Sequence, residues 1–174
     1  MSIIVNIKEQ TLTLSGRPSR QWSVSTALRG AGQQEGSFQT PLGLHRIRAR
    51  IGDGFPSRAV FVGRRFTGEV WTEQLHRQYP ERDWILGRIL WLCGCEPGWN
   101  RHGSVDSQRR YIYIHGTPDC TPVGRPESLG CIRMHCDDLL ELYAVASVGM
   151  GVNIVAGGAA AAEQDERERI DSVG

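Results

Sequence analysis

The chain has 174 residues, 40% of them hydrophobic and 22% charged, with a formal net charge of +1. That length suits one domain with a real core, and the near-neutral balance argues against nucleic acid or a membrane surface as partner. No apolar run reaches about 20 residues, so no helical membrane span is expected.

Taken in order, residues 3–7 (IIVNI) and 10–14 (QTLTL) flank Lys8-Glu9 and predict a hairpin. Gly16-Arg17-Pro18 reads as a turn, Gln21 to Leu28 as a strand, and glycine-rich Arg29 to Thr40 as a loop. From Leu42 to Ile51, Leu44, Arg46, Arg48 and Arg50 alternate with His45, Ile47, Ala49 and Ile51, a half-buried strand. Val60-Phe61-Val62 is a short buried strand. Asp83 is placed to cap a helix through Leu92, with Ile85, Leu86, Ile89, Leu90 and Leu92 on one face. The segment Cys93 to Gly98 would end it. A second helix begins at Asp137-Asp138 and carries Leu139, Leu142, Tyr143 and Ala146. Val152 to Val155 is the last strand. The fold class is mainly β with two or so helices, a β-sandwich or partial barrel with its cleft at the sheet end. The domain is placed at residues 1–156. Residues 157–174, an alanine run and then EQDERERID, read as an acidic, flexible tail.

The chemistry concentrates between Tyr111 and Asp138. Tyr111-Ile112-Tyr113-Ile114 is aromatic and β-branched, so it predicts a strand with His115 at its end. Pro122, Gly124 and Pro126 make a loop. Ser128-Leu129-Gly130-Cys131 then forms a tight turn, which Gly130 permits. A cysteine and a histidine sixteen residues apart meet only through the fold, the usual route to a thiol–imidazole pair. Cys131 is read as nucleophile, with its pKa lowered by a nearby imidazolium, and His115 as its base. Backbone amides near Gly130 and Cys131 would hold an oxyanion.

The basic side chains are Lys8 and otherwise all arginine. Base composition accounts for that excess, and Arg133 alone is placed to grip a carboxylate bidentately. Arg133, Ser128 and Tyr113 are the candidates for substrate contact. Arg133 equally suits steadying the loop, and Tyr113, like Trp84 and Trp91, suits a core position. Trp99 is a candidate for the cleft wall. Cys93, Cys95, His102, Cys120, His135 and Cys136 fit no common zinc spacing, so no metal is expected. No nucleotide-binding glycine pattern is present, and no cofactor is expected. Five cysteines, an odd number, suit a reducing compartment. With Met1-Ser2 leading straight into a strand, the expected location is cytoplasmic, or periplasmic if a leader has been removed.

IHGTP and SLGCIRM, at this separation, resemble the active-site signature of the L,D-transpeptidase catalytic domain (YkuD-type) family. That signature is a histidine followed by glycine, a loop, then Ser/Thr-His-Gly-Cys. Gln39-Thr40-Pro41-Leu42-Gly43 resembles the family's Thr-Pro-x-Gly turn, Ser23 to Ala27 its Val-Ser-Thr-Gly strand, and Met150 to Ile154 its closing strand. The resemblance covers roughly residues 2 to 155. Two positions depart from the pattern, Leu129 where histidine is usual and Cys136 where asparagine is usual.

The resemblance implies that the carbonyl of Gly116 orients His115, so no third acid is needed. It also implies acyl transfer through a thioester, with a peptidoglycan tetrapeptide stem as donor. The bond cut is between the L-centred third residue, such as diaminopimelate, and terminal D-Ala. The expected substrate is a muropeptide or nucleotide-linked stem, water is the acceptor, and the activity is L,D-carboxypeptidase in murein recycling. Cross-linking or D-amino-acid exchange, as an L,D-transpeptidase, is the alternative. An inactive stem-binding module is a third reading. Carbapenem-type β-lactams are implied as covalent inhibitors.

Overall fold

The computed structural model describes residues 1–157, and the expected tail lies, apart from Gly157, outside the described residues. Ten strands form one curled sheet: β1 Ile3–Asn6, β2 Thr11–Leu14, β3 Arg20–Ser23, β4 Gly43–Ile51, β5 Ala59–Val62, β6 Arg65–Val70, β7 Ile85–Gly94, β8 Tyr113–Thr117, β9 Ile132–His135 and β10 Gly151–Val155. Two α-helices accompany them, α1 Glu73–Gln78 and α2 Cys136–Val145. Most neighbours pair antiparallel, but β1 runs parallel to β10 and β8 parallel to β9. The main path is β3-β2-β1-β10-β4-β7-β5-β6, and β8 and β9 branch from β7. No described helix is long and apolar enough to cross a membrane.

The mainly β class with two helices holds, but one expected helix is wrong. Residues 85–94 are β7, a strand buried on both faces. Leu90 and Leu92 face the large core with Ile3, Val5 and Leu142, while Ile89 faces a second cluster with Phe61 and Tyr113. A doubly buried strand reads as a continuous apolar run, which periodicity cannot separate from a helix. Gly87, with φ of 74°, marks the bulge where the pairing to β8 slips. The short α1 went unread. Its signal is local, since the Thr72 hydroxyl accepts from Leu75 N–H at 3.1 Å.

α2 meets expectation closely. Leu139, Leu142, Tyr143 and Ala146 are buried against the sheet. It starts at Cys136 behind His135, whose side chain makes no capping bond. Asp137 and Asp138 fall in its first turn, where the helix dipole favours carboxylates. The helix follows Cys131 by one short strand, so the core that holds α2 also fixes β9 and the turn before it.

Candidate active site

His115 lies inside β8, between β7 and β9, and is only 1% exposed. The strand begins at Tyr113, not Tyr111, because Tyr111 leaves the extended region with φ of 56°. His115 Nδ1 is 2.9 Å from the Gly116 carbonyl oxygen. A carbonyl only accepts, so Nδ1 carries the proton and Nε2 keeps its lone pair. Gly116 is required by space: a Cβ there would lie 2.5 Å from the Leu86 carbonyl oxygen and 2.9 Å from Cys136 Sγ.

The parallel pairing of β8 with β9 matches His115 to Arg133. Cys131, immediately before β9, therefore falls beside Tyr113. Its sulfur accepts from the Tyr113 N–H and donates to the Tyr111 carbonyl, both at 3.4 Å. In the described structure it makes no hydrogen bond to His115. Cys131 packs against the apolar cluster that holds Tyr113. His115, two residues on from Tyr113, projects from that same face. The two side chains thus share a face, offset by two strand residues, or roughly 7 Å of rise.

The turn before the sulfur is fixed from both sides. Gly130 has φ of 131°, a left-handed conformation that favours glycine. The Ser128 hydroxyl donates to the Cys131 carbonyl at 2.5 Å and accepts from the Gly130 N–H at 3.1 Å. The Thr40 hydroxyl donates to the Gly130 carbonyl at 3.0 Å and accepts from the Ala27 N–H at 2.9 Å. Ser25 and Arg133 exchange both backbone bonds at 2.8 Å. The segments around Ser25 and Thr40 therefore buttress the turn.

These contacts correct three expectations. The Gly130 amide, expected at an oxyanion, is spent on Ser128, whereas the Cys131 N–H has no partner among the described residues. Ser128, expected at substrate, is 1% exposed and its hydroxyl is consumed in the turn. The Tyr113 ring is buried with its hydroxyl accepting from Arg64 Nη1 at 3.0 Å. Only the main chain of Tyr113 meets the sulfur.

Arg133 steadies the loop: Nη2 pairs with Asp83 Oδ1 at 2.7 Å, and Nη1 reaches the Glu127 carbonyl at 3.5 Å. Asp83, read from sequence as a helix cap, is the acid of this pair. Arg133, Asp83, Leu129, Trp84 and Thr121 line a cavity of about 280 Å³, in which Leu129 is exposed. Trp99 is exposed too, but packs elsewhere, beside Gly43. Arg110, unremarked in sequence, donates to the carbonyls of Gly32, Gln33 and Gln39 at 3.1, 2.8 and 2.6 Å.

Burial pushes the Cys131 thiol up to about 11; the Tyr113 N–H, Arg133 and Arg110 pull it down, and the Asp83 carboxylate adds to the rise. Burial also lowers His115, against the opposing pull of Asp83 and the Gly116 carbonyl. Both shifts favour a neutral thiol and a neutral imidazole over the thiolate and imidazolium that the sequence suggests. Cys136 is buried, its sulfur 3.6 Å from the Thr117 carbonyl, and burial raises it to about 12. Among the described residues, no three His, Cys, Asp or Glu side chains gather as metal ligands do.

The family model for the L,D-transpeptidase catalytic domain (YkuD) matches residues 1–154. The chain belongs to this L,D-transpeptidase family. A Bacillus licheniformis protein that carries the name L,D-transpeptidase YkuD is 41% identical over 46 residues, 26% of this chain and 28% of its own. An L,D-transpeptidase from Mycobacterium smegmatis shares the fold with a TM-score of 0.52 and 19% identity, over 88% of this chain and 58% of its own. The Enterococcus faecium L,D-transpeptidase C442S mutant gives 0.53 and 12%, over 88% and 49%. The chain thus spans about half the length of these solved structures and a smaller part of the Bacillus protein. At the positions that depart from the family pattern, Leu129 is exposed and lines the 280 Å³ cavity beside Arg133. Cys136 fills the space where β8 meets α2.

Proposed function

We propose that residues 1–156 form a thiol acyltransferase that acts on peptidoglycan tetrapeptide stems, with water as final acceptor. The observation that carries this reading is the His115 tautomer. The Gly116 carbonyl holds the Nδ1 proton, leaving Nε2 as a base on the sheet face that carries Cys131.

In the proposed cycle the thiol swings from the Tyr111 carbonyl toward Nε2 and loses its proton there. The sulfur attacks the carbonyl of the L-centred third residue, and the Cys131 N–H takes the oxyanion. The C–N bond breaks as Nε2 returns its proton to the amine of D-Ala. Water, deprotonated by the same nitrogen, then resolves the thioester to a tripeptide carboxylate and the free thiol.

The five free thiols favour a reducing, cytoplasmic setting. There the stems are soluble muropeptides or nucleotide-linked peptides and water is the abundant acceptor. That supports L,D-carboxypeptidase action in murein recycling over cross-linking. A structural neighbour with a TM-score of 0.54 and 13% identity is an avibactam carbamoyl enzyme, and we extend susceptibility to such acylating inhibitors, carbapenems included, to Cys131.

Incubation with a sugar-free tetrapeptide, followed by mass analysis, tests this. Tripeptide and free D-Ala are expected, with turnover and a carbapenem adduct both lost in Cys131→Ala. Cross-linked dimers or D-amino-acid-exchanged stems alone would make the protein a transpeptidase. The raised thiol favours one other reading, an inactive stem-binding module. Stem binding without turnover, and a Cys131 no more reactive than exposed Cys120, would establish it.

A further inference from the structure

A second concavity lies on the sheet face that carries Cys131, farther along β7. Residues 89, 91 and 93 project to one side of this strand. Ile89 and Trp91 pack in the cluster that Cys131 touches, and Cys93 lines a cavity of about 420 Å³. Trp91, with its indole N–H donating to the Gln108 carbonyl at 3.2 Å, stands between the two. The wall is cationic. Arg46 and Arg48 rise from β4, and Arg101 from the loop after β7. Arg46 is the cross-strand partner of Cys93 and donates from Nε to its sulfur at 3.4 Å.

The charges in this cavity are not balanced. Its lining carries three arginines, Arg46, Arg48 and Arg101, and a single carboxylate, Asp106. The cavity's one acid, Asp106, is bound to the loop. Its oxygens accept from the His102 N–H at 2.7 Å and the Arg109 N–H at 3.0 Å. Three guanidinium groups therefore share one concave wall against one carboxylate that already has partners. Guanidinium forks match phosphate oxygens in geometry and charge, and a concave wall focuses their field. The volume falls in the range of about 300–1,000 Å³ usual for small-ligand sites.

We propose that this cavity is a binding site for a phosphate-type oxyanion, gripped by Arg46, Arg48 and Arg101. It is separate from the acyl-transfer site and does not rest on that reading, since neither Cys131 nor His115 lines it. The oxyanion has two sources, inorganic phosphate or pyrophosphate, and the diphosphate of a nucleoside diphosphate.

Calorimetric titration of the full chain at physiological salt tests this, with pyrophosphate, uridine diphosphate and malonate as probes. Saturable one-to-one binding of pyrophosphate is expected, at least tenfold weaker in the double variant Arg46→Gln/Arg101→Gln. It is expected unchanged in Arg17→Gln, which removes an exposed arginine outside the cavity. Circular dichroism and the Cys131 alkylation rate show whether the double variant remains folded; if it does not, the single variants are read instead. Tighter binding of uridine diphosphate than of pyrophosphate identifies the source as a nucleoside diphosphate, and equal binding identifies the bare oxyanion. The proposal is overturned by absent or non-saturable binding, by tighter binding of malonate, or by an equal loss in Arg17→Gln.

Discussion

At the residue scale the question is what makes the sulfur react. Burial holds the Cys131 thiol up at about 11, so the neutral form is favoured near neutral pH. In the proposed cycle the proton therefore leaves during the reaction, toward Nε2. Iodoacetamide alkylation of Cys131 should rise through pH 9 and beyond without a plateau near neutrality. A plateau at pH 6–7, read by peptide mass analysis, would instead show a preformed thiolate–imidazolium pair. Arg110, together with Arg133, is a cation that favours this ionisation. Its guanidinium is bonded to neutral carbonyls and its charge pulls the thiol down. Arg110→Gln should move the alkylation profile to higher pH and lower turnover about tenfold or more. Arg110→Lys should restore part of the pH shift, because it keeps the charge while losing the fork. An unmoved profile in Arg110→Gln would leave Arg110 a purely structural loop clamp.

At the element scale, β8, β9 and the turn between them hold the proposed site, and this stretch is where the sequence concentrates its candidate residues. His115, Gly116, Gly130 and Cys131 sit within one short stretch, so a local pattern could single them out as candidates. What was not legible came from far along the chain. Thr40 meets Gly130 across 90 positions, Arg110 meets Gly32 across 78, and Asp83 meets Arg133 across 50. No local spacing encodes such pairs. The misreading of β7 has a different cause, since burial on both faces removes the alternation that marks a strand. Asp83 then looked like a cap because the segment after it looked like a helix. Gly116 is where these elements touch most closely. Gly116→Ala would drive a methyl against the Leu86 carbonyl and the Cys136 sulfur, backbone and buried side chain that yield poorly. It should cost about 1–3 kcal/mol of stability by overpacking, measured by urea denaturation. It should also lower turnover, because the carbonyl that holds Nδ1 shifts with it. A variant as stable and as active as the parent would show that β7 or α2 gives way freely.

At the scale of the whole molecule, the fold carries two buried histidines, and both make it sensitive to mild acid. His45 is 1% exposed, with Nδ1 2.9 Å from the Gly43 carbonyl oxygen and Nε2 2.9 Å from the Ser107 hydroxyl. Burial lowers its pKa to about 4 from an ordinary 6.5. Between those values the unfolded chain binds a proton that the folded chain refuses. The stability tied to this group is therefore fully present above about pH 6.5 and is lost as the pH falls toward 4. From pH 7 to pH 5 the loss is about 2 kcal/mol by linkage. His115 is lowered in the same direction and adds to it. His45→Gln should be less stable than the parent at pH 7, because two buried hydrogen bonds are disturbed. It should nevertheless lose distinctly less between pH 7 and pH 5, because the titrating group is gone. Urea unfolding at the two pH values gives both numbers. Parallel losses in parent and variant would show that His45 is already protonated in the fold, or that the acid sensitivity lies in other groups.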